Sequence, residues 1–166
     1  MSPVLAAALL VAAERLVELA LSRHNARALL RGGAVEHGRS HYPLIVLLHA
    51  LWLGAILWVV PSAAWPNWWL AGCYFALQFV RAWAILSLGP YWTTRVITLP
   101  GAPLVTSGPY RFLRHPIYAV VVGEIALLPA MFGAWRLALA ASAVNAAMLT
   151  WRITSEDRAL APRRGV

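Results

Sequence analysis

The 166-residue chain has no lysine, a single cysteine and few charges of any kind. Charged residues make up 12% of it, where a soluble domain carries about 25%. With one thiol, Cys73, an internal disulfide and any multi-thiolate metal centre are excluded. Acidic residues number only six against fourteen arginines, which leaves a formal net charge of +8. No glycine-rich dinucleotide fingerprint is present, nor an obvious Ser-His-Asp set. What fills the space is apolar: 61% of residues are hydrophobic, and nine are tryptophan. Such a chain is neither disordered nor an ordinary soluble globule. Its arginines lie between apolar blocks, a pattern of a membrane with bases at its surface rather than of a nucleic-acid binder.

A spanning helix needs about 20 mostly apolar residues. Five segments approach this: residues 3–21, 43–60, 65–88, 116–131 and 134–151. The first has no basic start and carries Glu14, Arg15 and Glu18, so it reads as a retained helix rather than a cleaved signal. Pro43 and Pro116 sit where a first-turn proline costs no hydrogen bond. Phe132-Gly133 leaves room only for a tight turn, so the last two segments form an antiparallel hairpin. The expected architecture is a single-domain, all-α integral membrane protein of about five spans, followed by a C-terminal helix and tail over 152–166.

Charge sets the expected orientation. Regions 22–42, 89–115 and the tail after Trp151 share one side and hold eleven of the fourteen arginines. The opposite side has only Arg136, while Arg15 and Arg81 fall within spans. This bias places the N-terminus outside and the three polar regions in the cytoplasm. For a chain of this GC-rich bacterial flavour, all arginine and rich in alanine, the membrane expected is the bacterial inner membrane.

Two stretches could carry chemistry. Thr106–Tyr118, TSGPYRFLRHPIY, runs through two arginines into the N-terminus of the fourth span. A helix N-terminus offers free N–H groups and the positive dipole end to anions. Arg152–Leu160, RITSEDRAL, follows the fifth span directly. Both ends of a hairpin return to one face, so the two stretches must lie close together. Read without chemistry, they are interfacial arginines, belt tyrosines and a helix end whose charges complement its dipole. Arg158, Arg163 and Arg164 are best left as such.

The run SGPYRFLRHPIY, a short apolar hairpin and then RITSEDRAL resembles the isoprenylcysteine carboxyl methyltransferase family of integral membrane enzymes. Its pattern is an Arg-His-Pro-x-Tyr element, a helical hairpin and a paired acidic element beyond it. The resemblance covers about residues 77–160. The earlier ERLVEL and RHNARALLRGGAVEHGRSHYP stretches look like a bacterial branch that includes O-methyltransferases of alkylpyrones and alkylresorcinols. It implies S-adenosylmethionine as methyl donor and a lipophilic or prenylated acceptor. His115, Pro116 and Tyr118 would line the donor pocket, with Tyr110 and Arg114 beside them. Glu156 would bind the donor's amino group or ribose, and Arg152 would lie near its carboxylate. Asp157 departs from the more usual Glu. The chemistry suits these residue types: tyrosine faces attract a sulfonium, and arginine holds a carboxylate. In-line methyl transfer asks mainly for positioning and exclusion of water.

Arg81, Glu124 and Glu14 are costly in hydrocarbon. At 1.5 Å per residue each lies about 10–12 Å below the same face. Arg81 is expected to pair with Glu124, with Glu14 or Gln78 nearby, either to fix helix packing or to orient the acceptor oxygen as catalytic residues. His49 reads as a packing residue. His24, His37, His41 and Glu36 match no ligand spacing, and no metal is expected; His41-Tyr42 instead suits a pocket edge. Trp92 and Arg95 suit either interfacial anchoring or contact with substrate or donor. The competing function is a small transporter or proton relay built on Arg81, Glu124 and Glu14.

Overall fold

The computed structural model describes residues 2–38 and 42–164, of which 161–164 are given as backbone alone. Among the described residues five α-helices form the bundle: α1 (Pro3–Arg31), α2 (Tyr42–Val59), α3 (Trp68–Leu88), α4 (Pro116–Met131) and α5 (Trp135–Arg164). Two three-residue strands, β1 (Val35–His37) and β2 (Val96–Thr98), pair antiparallel with Glu36 opposite Ile97. The chain is an all-α integral membrane protein with this one small ribbon. Helices α2, α3 (extended to Tyr91) and α5 (to Leu160) are long and apolar enough to cross a membrane, and α4 is a shorter apolar helix.

Local chemistry sets the helix ends. Ser2 caps α1, its Oγ accepting from the Leu5 N–H at 3.1 Å, with Pro3 in the first turn. Asn67 caps α3 by accepting from Trp69 and Leu70 at 3.0 and 3.2 Å. The Asn67 N–H in turn donates to the Met131 carbonyl at 2.7 Å, which ties the start of α3 to the end of α4. Gly133, at φ +80, makes the turn between α4 and α5 in a backbone region that side chains avoid.

Two helices outrun the spans expected from hydropathy. The first does not stop at Leu21 but continues to Arg31, because Ser22–Leu30 is rich in helix formers and the first breaker is Gly32-Gly33. The fifth runs unbroken from Trp135 to Arg164, so the expected C-terminal helix is the same rod. At 29 residues, α1 is about 44 Å long and exceeds a hydrocarbon core of about 30 Å.

The hydrophobic core occupies one end of the bundle. Val4 and Val11 of α1, Trp52 and Ile56 of α2, Ala71 and Tyr74 of α3, and Ile125 and Leu128 of α4 pack there, closed by Met131 and Phe132. The opposite end is not filled in this way. There the helices surround a cavity.

Candidate functional site

The cavity encloses about 660 Å³, a volume suited to a small molecule. Its walls come from every helix and from the 91–99 and 103–106 segments. Its rim is polar and its middle apolar.

At the rim the two sequence-distant stretches meet. Pro116 opens α4, so Tyr118 stands in the first turn, facing the far end of α5. The Tyr118 hydroxyl donates to Glu156 and accepts from Arg152 Nε at 2.7 Å. The Arg152 guanidinium also lies over the Tyr118 ring, 5.4 Å from its centre. His115 stacks on the same ring, with centroids 5.2 Å apart and planes 17° from parallel. Its Nε2 is 3.3 Å from Asp157 Oδ1. One tyrosine therefore joins a cation, an anion and an imidazole across the α4–α5 hairpin.

Tyr110 reaches this site from a 3-10 turn, Gly108–Arg111. Gly108, at φ +60, lets that turn lie against α3, where a Cβ would overlap the side chains of Ser87 and Trp83. Burial first, and then the nearby Glu156 carboxylate, pushes the Tyr110 hydroxyl above its ordinary range, so it stays protonated.

The 92–95 segment is clamped from three sides. Asn25 of α1 donates to the Trp92 carbonyl at 2.9 Å. Ser22 Oγ accepts from the Thr94 N–H at 2.9 Å. The Thr94 hydroxyl donates to Tyr42 of α2 at 3.2 Å, and its carbonyl accepts from Arg152 Nη2 at 2.6 Å. Arg95 packs over the Tyr42 ring and pairs with Glu36 at 3.3 Å. The β ribbon carries this clamp back to α1.

Deeper in the bundle lies an ion cluster. Arg81 Nε pairs with Glu18 Oε1 at 2.6 Å, and Arg81 Nη1 with Glu124 Oε2 at 3.2 Å. Arg15 pairs with Glu18 at 2.9 Å and with Glu14 at 3.1 Å. Gln78 donates to Glu124 at 2.8 Å. Arg81, Arg15 and Glu18 also line the cavity, so the cluster forms its floor.

Tyr110, Arg114, His115, Pro116, Tyr118, Arg152, Glu156 and Arg81 all line the cavity. Glu124 is not on that lining; it is buried behind Arg81. The expected Arg81–Glu124 pair is present, but the tightest partner of Arg81 is Glu18, which sequence reasoning noticed only as an ionisable interruption. One-turn spacing offered the missing signal: Glu18 stands at i,i+4 from Glu14 and at i,i+3 from Arg15 on α1. Thr94 and Ser22 had no signal at all, since isolated hydroxyl residues acquire meaning only through tertiary contacts. Trp92, Arg95 and Tyr42 line the cavity, whereas His41 lies outside the described residues.

The comparison with known families decides what kind of protein carries this cavity. The model of the isoprenylcysteine carboxyl methyltransferase family matches residues 70–162, which hold both rim elements and the hairpin between them. The chain belongs to this family. Its methyltransferase character follows from that membership. A relative, the uncharacterized protein YpbQ of Bacillus subtilis, is 42% identical over 151 residues, 89% of this chain and 90% of the relative. No solved structure matches. Within this methyltransferase, α1 and α2 precede the matched segment, whereas the 92–95 clamp that ties them to Arg152 lies inside it.

Proposed function

We propose that this methyltransferase moves a methyl group from S-adenosylmethionine to an oxygen of a lipophilic acceptor, at the cytoplasmic face of a bacterial inner membrane. The observation that carries the reading is the Tyr118 hydroxyl, shared between Glu156 and Arg152 at the mouth of a cavity whose middle is apolar.

The residues present fit the donor. Its sulfonium suits the face of Tyr110 through cation–π attraction, while Tyr118, its ring already covered by His115 and Arg152, offers its hydroxyl edge to the donor. Its ammonium and ribose hydroxyls suit the Glu156 carboxylate, and its own carboxylate suits Arg152 and Arg114. Pro116 keeps the α4 terminus open without an orphan N–H. His115 orients the Tyr118 ring and is itself held by Asp157. When bound, the donor supplies an electrophilic methyl carbon. The protein's part is to align it, exclude water and present the acceptor. Arg81 faces the cavity floor and orients the acceptor oxygen, and Glu124 acts through Arg81 as a positioning residue. The apolar walls formed by Ile45, Leu53, Val121 and Leu149 receive the acceptor's tail from the bilayer. The family's namesake acceptor is an isoprenylcysteine carboxylate; an alkylpyrone or alkylresorcinol hydroxyl is the other class the cavity would take. The bilayer is the one partner this scheme requires, and no nucleic acid enters it.

Calorimetric titration of the detergent-purified protein with S-adenosylhomocysteine tests the reading. Binding should be lost, by about tenfold or more, in Glu156→Ala and His115→Ala. Wild-type protein with no affinity for this product would refute it, and ion flux that is lost in Glu14→Gln with product binding intact would favour a transporter. Mass spectrometry of lipids from cells with and without the gene then identifies the acceptor.

A further inference from the structure

His49 stands on α2, and its ring lines the same cavity as Arg15, Glu18 and Arg81. Its Nδ1 lies 2.8 Å from the carbonyl oxygen of Ile45, one turn back on the same helix. A carbonyl can only accept, so Nδ1 carries the hydrogen and the tautomer is fixed. Trp52 packs against the ring edge-on, 6.3 Å between centroids, and holds its orientation. Nε2 is thereby left as an acceptor lone pair, and among the described residues no donor meets it.

The other bases of the cavity are committed. Glu18 is gripped by two arginines, and Glu124 by Arg81 and Gln78. At the rim, Glu156 is engaged by Tyr118 and His115 by Asp157. Nothing comparable occupies His49 Nε2. Its helix position is also apt: seven residues past Tyr42, it is about 10 Å below the start of α2, between the rim and the floor.

We propose that His49 is the catalytic base of methyl transfer, and hence that the acceptor is a hydroxyl compound whose oxygen still carries its proton. This rests on the methyl-transfer reading above. A carboxylic acid, ordinarily ionised above about pH 4, needs no base, whereas a phenolic hydroxyl, ordinarily near 10, does. In the step, the acceptor O–H bond breaks and its proton passes to Nε2. The freed oxygen pair forms the new O–CH3 bond. The carbon–sulfur bond breaks with its electron pair going to sulfur, which becomes a neutral thioether. The positive charge of the sulfonium thus ends on the imidazolium, which returns its proton to water at the cavity mouth. The charged groups that act on the ring are Arg15 of α1, Glu124 of α4 and Arg152 of α5, and Glu18, Arg81, Arg95, Arg114 and Glu156 line the same cavity.

Three measurements on the whole protein test this. First, S-adenosylhomocysteine should bind His49→Gln as it binds wild type, which shows that the variant is folded. Second, methylation of pentadecylphenol should fall about a hundredfold in kcat in His49→Gln, and the loss should shrink towards nothing for ring-fluorinated analogues already ionised at the assay pH. The wild-type kcat/KM for pentadecylphenol should rise with pH along a limb that His49→Gln lacks. Third, in ¹⁵N-histidine spectra of the wild-type protein without donor, pentadecylphenol should shift the His49 Nε2 resonance and leave Nδ1 protonated. Equal loss across the acceptor series, or an Nε2 signal indifferent to the phenol, overturns the role of His49 while leaving methyl transfer intact. Failure of the wild-type protein to bind S-adenosylhomocysteine overturns methyl transfer itself, and the base with it.

Discussion

The rim and the floor of the cavity are both polar networks joining helices that are far apart in sequence, but they differ in how their charges are held. At the floor, Arg81 and Glu124 keep only 5% and 6% of their side-chain surface exposed, and each charge meets an opposite one. At the rim, His115 and Glu156 keep 16% and 25%, and a neutral tyrosine hydroxyl mediates between charges. A buried pair cannot release a partner without stranding a charge. A partly exposed network with one hydroxyl at its centre can trade a protein contact for a ligand contact at little cost. The floor is thus suited to holding shape, and the rim to exchanging partners.

The contrast is broken most severely at the floor. Arg81→Ala leaves Glu18 and Glu124 to share Arg15 alone, at 2.9 and 3.7 Å. Truncating one partner of a buried pair costs about 3–5 kcal/mol, so we expect this variant to lose its thermal transition or to denature in mild detergent. Glu18→Ala should be nearly as damaging. A double-mutant cycle of Arg81 with Glu18 should show the larger coupling, and one with Glu124 the smaller. Independent effects in both cycles would mean that the pairs do not act as a cluster.

At the rim the order of effects reverses, with binding hurt more than stability. Tyr118→Phe keeps the ring stacked on His115 but removes the hydroxyl that links Arg152 to Glu156. Hydrogen bonds to charged groups contribute about 1.5–3 kcal/mol, so affinity for S-adenosylhomocysteine should fall at least about tenfold in calorimetry while the melting temperature moves little. A large melting shift with unchanged affinity would put Tyr118 with the floor.

These two regions were not equally legible in the sequence. The rim lay in two compact strips, and the tight Phe132-Gly133 turn dictated that they meet; Tyr118 and Glu156 were singled out within them by the family resemblance. Arg81 and Glu124 announced themselves as charges in apolar runs, because hydrocarbon makes them expensive. Glu18 was visible as an interruption but not as the main partner of Arg81, since helix rotation about its axis is set by packing that hydropathy does not encode. The β ribbon was not foreseen. Val35–His37 and Val96–Thr98 are three residues each and some sixty apart, too short for alternation to register. His49 was read as packing because one histidine in a span carries no pattern; only its bond to Ile45 shows which nitrogen is free.

The Thr94 clamp lies between the two regions and should show an intermediate effect. Thr94→Val removes the hydroxyl's contacts with Ser22 Oγ, 2.8 Å away, and with Tyr42, while leaving the backbone N–H bonded to Ser22 and the carbonyl that holds Arg152. We expect a stability loss of about 1 kcal/mol, the net value of an ordinary hydrogen bond, with product affinity reduced only slightly. An affinity loss as large as that of Tyr118→Phe would show that α1 and α2 set the geometry of Arg152 through this segment.

The smallest effect sharpens the comparison at the rim itself. Burial and then Glu156 raise the Tyr110 hydroxyl above its ordinary value of about 10. In the unfolded chain the phenol ionises near that pH, while in the folded protein it keeps its proton. The unfolded state therefore binds fewer protons just above pH 10, and stability falls as pH rises through that window. Tyr110→Phe has no such proton to lose. The melting temperature of wild type should drop relative to Tyr110→Phe as pH passes 10, with the other tyrosines common to both proteins. Glu156→Gln removes the negative charge facing Tyr110 and should reduce the difference without abolishing it, because burial is the larger cause. A difference that Glu156→Gln erased entirely would make the rim an electrostatic device first and a shielded one second, closer in kind to the floor.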